Sequence, residues 1–232
     1  MENLPAYVSI VFILTTFATL GFLIYSIKVA GADLLPSKLL IFVLPLWIFF
    51  QAVLARGGFY QYTEAMPPRL MLFGVLPAVI LIFIYLLFFR DFVAKLPLKV
   101  LTLLHTVRIP VEIVLFLLFV GRQVPEIMTF EGRNFDILSG ILAPIVYLAA
   151  FRNNEINRPL LVAYNLLGLL LLANIVTIAV LAVPSPMQTT AFEQPNVAVL
   201  YFPYIWLPTI VVPIVFFSHL ASLWKIFTGH EK

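Results

Sequence analysis

Three side chains able to do chemistry stand close together in one apolar run, His105, Arg108 and Glu112, within residues 100–120. On a helix turning about 100° per residue, their directions fall within roughly 60° of one another and make one polar stripe. A carboxylate there can take and release a proton, a guanidinium can hold a counter-charge, and an imidazole can bond or relay. Arg108 and Glu112 are four residues apart, the spacing at which a helical ion pair forms. Pro110 lies between them, has no N–H and crowds the carbonyl of Thr106, so a kink is expected. The alternative is purely structural, with the pair tying neighbouring helices together.

A second polar group is read from depth. His105 lies six residues after Lys99 and His219 six residues before Lys225. At ~1.5 Å per residue this puts both about 9 Å inside the same boundary. Asn165, seven residues after Arg158, reaches that level, and Ser218 flanks His219. The expected ligand or proton pathway is therefore His105, Arg108, Glu112, Asn165 and His219, with Pro110 as the kink. Each histidine has the alternative of an ordinary hydrogen-bonded helix contact. Matched depth also admits axial ligation of a haem, although the expectation is no cofactor. Two histidines within apolar runs fall short of the three protein ligands of a catalytic zinc, so no metal is expected, and no catalytic residue is assigned. The sequence contains no phosphate-binding glycine loop, no nucleophile elbow and no H-E-x-x-H. It contains no cysteine, which excludes disulfides and thiolate chemistry.

The elements that carry these residues follow from composition. Of 232 residues, 62% are hydrophobic and 11% charged, against about 25% charged in soluble domains. A water-soluble fold could not wet such an exterior. The charges cluster between long apolar runs, which span roughly residues 6–27, 37–55, 70–89, 99–120, 136–151, 159–183 and 198–224. A spanning helix needs ~20 apolar residues, and the alternation of a barrel strand is absent. The expected fold is an all-α integral membrane protein of one domain, a seven-transmembrane-helix bundle. The fifth run is the shortest, with Asp136 and Ser139 in its first turns and Pro144 near its middle. No basic region precedes the first run and no small-residue cleavage site follows it, so that run is read as a retained helix.

Basic residues set the expected orientation. With the C-terminus cytoplasmic and the N-terminus outside, Lys28, Lys38, Arg90, Lys95, Lys99, Arg152, Arg158, Lys225 and Lys232 face inward, nine of the 14 Lys and Arg. Arg56, Arg69, Arg122 and Arg133 face outward, together with Glu2, Glu64, Glu126, Glu131, Asp136 and Glu193. The nine inward basic residues are explained by topology, so no nucleic-acid partner is expected. The outer connections 57–69, 121–135 and 184–197 are long and read as a lid or entry region. Asn196, in Phe192-Glu193-Gln194-Pro195-Asn196, reads as a structured turn leading into the seventh helix, with helix capping as the structural alternative.

Val75-Leu76-Pro77-Ala78 in the third run and Trp206-Leu207-Pro208-Thr209 in the seventh each precede an apolar stretch ending in paired phenylalanines. Helices one to three and five to seven then read as parallel repeats joined by the fourth. This 3+1+3 plan resembles that of the SWEET sugar transporters, and microbial rhodopsins share the seven-helix, N-outside arrangement. The resemblance is architectural: no SWEET motif is present, and the seventh run has no mid-depth lysine to hold retinal. The functional expectation is binding or transport of a small polar solute or proton across a cell membrane, a bacterial inner membrane, with the bilayer as the standing partner. The alternatives are an intramembrane enzyme acting on a lipid or isoprenoid substrate, and a non-catalytic subunit of a membrane complex.

Overall fold

A computed structural model describes residues 4–153 and 155–229. Glu2 and Lys232, assigned to opposite sides above, lie outside the described residues. The fold is built from helices, with no strand among the described residues. They are α1 (Ala6–Gly31), α2 (Leu35–Arg56), α3 (Leu76–Phe88), α4 (Arg90–Lys95), α5 (Leu98–Leu104), α6 (Arg108–Val120), α7 (Ile137–Ala150), α8 (Arg158–Ala182) and α9 (Val212–Thr228). Six helical stretches are long and apolar enough to cross a membrane: α1, α2, Met71–Phe88, Leu98–Val120, α8 and Leu207–Thr228. α7, the expected fifth span, is a shorter apolar helix of 14 residues.

Hydrophobicity alone does not sort inside from outside in this bundle. Phe88 is 77% and Leu148 72% exposed, so the outward faces are as oily as the core. Small and polar residues mark the inward faces instead, among them Thr15, Thr16, Thr19 and Ser26 on α1, each bonded to its own helix's carbonyl four residues back. The stretch Leu207–Thr228 is the axis of the packing, with 72% of its most apolar window buried, and α2 is the rim, with 17%.

The prolines decide where the helices break. Leu98–Val120 is interrupted by a 3-10 turn, His105–Val107, which joins α5 to α6. Pro110 cannot bond the carbonyl of Thr106, so the tightening falls in the turn that contains Thr106. Two further breaks are π turns, Met71–Val75 before α3 and Leu207–Val211 before α9. Each is followed two residues later by a proline, Pro77 or Pro213, that leaves the carbonyl four residues back without its helical donor. Both carbonyls are taken by α2: Gln51 Nε2 donates to Phe73 O at 3.0 Å and Trp47 Nε1 to Thr209 O at 3.0 Å. Trp47 and Gln51 are one helical turn apart, so a single face of α2 completes both broken helices. The local structure therefore pairs Pro77 with Pro213, a different register from the Pro77–Pro208 match seen in the sequence. Gln51 Oε1 in turn accepts from Tyr60 Oη at 2.6 Å. Burial pushes the Tyr60 hydroxyl up to about 12, which keeps it a donor.

The seventh run is shorter at one end and longer at the other than its apolar composition suggests. Residues 198–206 form a 3-10 turn and irregular backbone, and regular helix persists to Thr228, past Lys225. Lys225 does not sit at a wet boundary. It is buried and donates to Leu96 O at 2.6 Å and to Ala94 O, the carbonyls at the end of α4. Gly229, with φ 75°, closes α9 by giving its N–H to Lys225 O.

At the other end of the bundle, the connections 121–136 and 184–206 are folded against each other. Val197 and Ala198 give their N–H groups to Gln123 O at 3.0 and 3.1 Å, and Gln194 Nε2 donates to Phe119 O and Val124 O. Met128, Thr129, Asn134 and Asp136 are buried. α7 starts beneath this folded segment. Its far end joins a separate apolar cluster in which Leu98, Ala150, Leu161 and Ile226 meet.

Candidate functional site

Arg108 opens α6, directly after the 3-10 turn, and is 2% exposed. Its Nη1 lies 3.1 Å from Asp136 Oδ1, and Nη1 and Nη2 both donate to Gly168 O of α8, at 3.3 and 3.2 Å. The expected pairing with Glu112 is not made. Glu112, one turn further along α6, takes its bonds from Asn134 Nδ2, at 2.7 Å to each carboxylate oxygen. The reason is tertiary. Residues 134–136 run past both side chains, and the backbone N–H of Asp136 binds Asn134 Oδ1 at 3.0 Å, an Asx turn that fixes both donors and acceptors.

The Asn134 amide is over-subscribed. Its two N–H bonds face three acceptors, the Glu112 oxygens and Met128 O at 2.9 Å. One N–H goes to Met128 and one is shared by the carboxylate, so most of the roughly four acceptor sites of Glu112 stay unused. Among the described residues, Arg108–Asp136 is the ion pair at this site, and Glu112 has no cation within 4 Å.

Below Arg108 the two histidines meet face to face. The rings of His105 and His219 stack with centroids 3.7 Å apart and planes 13° from parallel. His219 Nδ1 is 2.8 Å from Asn165 Oδ1, while Asn165 Nδ2 donates to Leu161 O at 2.8 Å. The Asn165 oxygen is thus the acceptor, so His219 carries its proton on Nδ1 and leaves Nε2 as a bare acceptor. Gly168 packs on the His219 ring edge: a Cβ there would collide with Cε1 and stand 3.1 Å from Ser139 Oγ. Tyr164, 5.8 Å from the His105 ring, donates to Ser139 O at 3.0 Å. Both His105 nitrogens, His219 Nε2, Arg108 Nε, Ser139 Oγ and Ser222 Oγ are buried without a hydrogen-bond partner.

The structure thus brings His105, Asn165 and His219 into one contact group and stands Arg108 and Glu112 above it on the same helix line. Ser218 is turned to its own helix, bonding Ile214 O at 2.9 Å. Asn174, on α8, reaches the opposite way, to Arg133 O at 2.8 Å. Asn196 does not cap the seventh helix. Its N–H and Nδ2 bind Ala182 O and Ala179 O at the end of α8, at 2.8 and 3.3 Å. The stack also answers the haem geometry, since ligation from two sides needs ring edges, not faces, turned to a common centre. Asp136, Asn134, Tyr164 and Gly168 were outside the expected site. Asn134-x-Asp136 ahead of an apolar helix is the sequence signal that marks the first two.

A cavity of about 140 Å³ adjoins the acid end of this chain, reached by Glu112, Asp136 and Asn196. Its remaining walls are apolar. The arrangement as a whole can hold or relay a proton and can accept hydrogen bonds from a donor entering beside Glu112.

The profile of one family, Domain of unknown function (DUF8737), matches residues 66–227, which include both π turns and every residue of the site. No curated protein and no solved structure matches the chain.

Proposed function

The chain belongs to the DUF8737 family, and we propose that it is a multi-pass cell-membrane protein that binds or transports a small polar solute or a proton through this site. The observation that carries the reading is the continuous line of buried polar groups, from Asn134 and Glu112 past Arg108 to the histidine stack, within an otherwise oily bundle. Charges at such depth cost ~2.5–3.5 kcal/mol each on insertion scales, and the Arg108–Asp136 pair accounts for only two of three. Glu112 is the group that exchanges the proton or meets the solute, Arg108 and Asp136 balance each other, and His105 and His219 line the path.

The accompanying topology is seven crossings, N-terminus outside and C-terminus cytoplasmic, in a bacterial inner membrane. α7 rises about 21 Å at ~1.5 Å per residue, short of the ~30 Å hydrocarbon thickness. The segment ahead of it, which buries Met128, Thr129, Asn134 and Asp136 between exposed residues, supplies the rest of the fifth crossing. Irregular backbone is tolerated at that depth where protein surrounds it, and Thr129 and Asn134 are fully buried. Reporter fusions after Lys95 and Arg158 are expected on the cytoplasmic side, and fusions at 64–66 and 188–190 outside. The same side for Glu64 and Lys95 would overturn the scheme.

The functional test is flux in proteoliposomes under an imposed pH gradient. Glu112→Gln keeps the shape and the Asn134 bond, so its flux is expected to fall to that of empty vesicles. Its unfolding temperature should move by less than about 4 °C, equivalent to ~1 kcal/mol in a chain of this size. Unchanged flux in that variant would overturn the reading. Lipid turnover by the purified protein without a gradient would replace it with the enzyme alternative.

A further inference from the structure

We propose that the cavity beside Glu112 is the binding site of an organic ammonium ion with a short apolar body. The inference rests on the reading of Glu112 as the solute-contacting group and names the class of solute.

The cavity lies between α6, α8 and the two π turns, with Met71 and Val75 on one turn and Leu207 and Pro208 on the other. Its long wall is α8 from Leu172 to Val180, about 12 Å at ~1.5 Å per residue, with Val183 just past the helix end. Asp136, tied through Arg108 to Gly168 O, and Glu112 mark the Leu172 end, and Asn196, bonded to Ala179 O and Ala182 O, marks the Val183 end. Most of the hydrogen-bonding capacity left at its wall is acceptor capacity. Glu112 has oxygen sites that its one Asn134 donor leaves unused. Asn196 is fully buried, one N–H of its Nδ2 goes to Ala179 O, and its Oδ1 has no partner. Arg108, which would favour an anion, does not reach the cavity wall.

Three classes of ligand are disfavoured by these facts. An anion meets the Glu112 and Asp136 carboxylates at one end and, at the other, a single N–H of the Asn196 amide. A hydrated metal ion finds apolar walls, and no group of three or more His, Cys, Asp or Glu able to hold a metal occurs among the described residues. A neutral alcohol fills the walls but leaves Glu112 without a cation. An alkylammonium matches the Glu112 end and the walls: N–H donors and charge at Glu112, and a hydrocarbon body along Ile175, Val176 and Ala179.

The test is titration calorimetry on the full chain in lipid nanodiscs, with n-butylammonium, n-butanol, butyrate and sodium as probes. Butylammonium is expected to bind once per chain, about ten- to a hundredfold tighter than butanol, the margin of a charged hydrogen bond. Butyrate and sodium are expected to give no saturable heat. Glu112→Gln should bring butylammonium down to the butanol level, and Val176→Phe, which fills the cavity, should weaken it at least about tenfold. Thermal unfolding of each variant identifies one that fails to fold, and the four-probe comparison on the wild type decides without them. Equal affinity for butanol and butylammonium would overturn the assignment, as would butylammonium binding that ignores both substitutions. Proton flux without ammonium binding overturns this assignment alone. Ammonium binding with no flux of any kind leaves it standing and overturns transport.

Discussion

Arg108→Met is expected to cost the fold about 3–5 kcal/mol, the range for removing one partner of a buried ion pair. Methionine keeps the length and the apolar stem but leaves Asp136 beside no cation and Gly168 O without its two donors. In a chain of this size that is a fall on the order of 10 °C in unfolding temperature. The companion variant makes the measurement specific. In Arg108→Met with Asp136→Asn, the orphaned charge is gone, so part of the loss is expected back, with a coupling of ~0.5–3 kcal/mol in the double-mutant cycle. A single variant within about 1 kcal/mol of wild type would mean that the guanidinium is wet and the pair is not buried as described.

Sequence reasoning had Arg108 on the correct stripe and with the wrong partner, for a physical reason. Spacing along one helix ranks Glu112 first because it is the nearest acid in sequence, and it carries no information about a segment that returns 28 residues later. Asp136 falls among the outward charges and Asn134 goes unmarked within the connection 121–135, because nothing in their composition separates a wet loop from one folded into the bundle. The turn Asn134-x-Asp136 is polar in sequence and buried in space. A loop's polarity is a correlation; where its backbone bonds are satisfied is decided by the fold.

The helical runs were more legible, since apolar length and proline punctuation are local. Pro110 marked the interruption that appears as the 3-10 turn at residues 105–107. The seventh run shows the limit. Residues 198–206 are apolar enough to pass as helix, yet they turn irregularly before the π turn, and hydropathy has no term for backbone conformation. Lys225 shows the same limit from the other side. It served as a boundary marker for depth, but its ammonium is inside, on the carbonyls of α4. The two histidines nevertheless meet at one level, because the helix rise between each of them and its flanking lysine is the same whether or not the lysine is wet.

The second large effect is expected from the smallest substitution, Gly168→Ala. At an ordinary helix interior this change stabilises by up to about 1 kcal/mol, because alanine has less backbone freedom to lose. Here the sign should reverse. The added methyl has to occupy space held by the His219 ring edge, and His219 is fixed on its other sides by the His105 face at 3.7 Å and by Asn165 at 2.8 Å. Relief requires either turning the imidazole off Asn165, which leaves two more buried polar atoms unpaired, or moving α8 away from α9. Moving α8 also draws Gly168 O from Arg108. Overpacking of this kind costs typically 1–3 kcal/mol, and the Arg108 bonds put the expectation at the upper end. His219→Ala in the same chain removes the obstacle, so the double variant should lose less than the sum of the singles by at least ~0.5 kcal/mol. Unfolding temperatures of the four proteins close the cycle. A Gly168→Ala protein as stable as wild type, or more so, would mean that α8 and α9 do not meet at this ring, and the histidine stack would go with that contact.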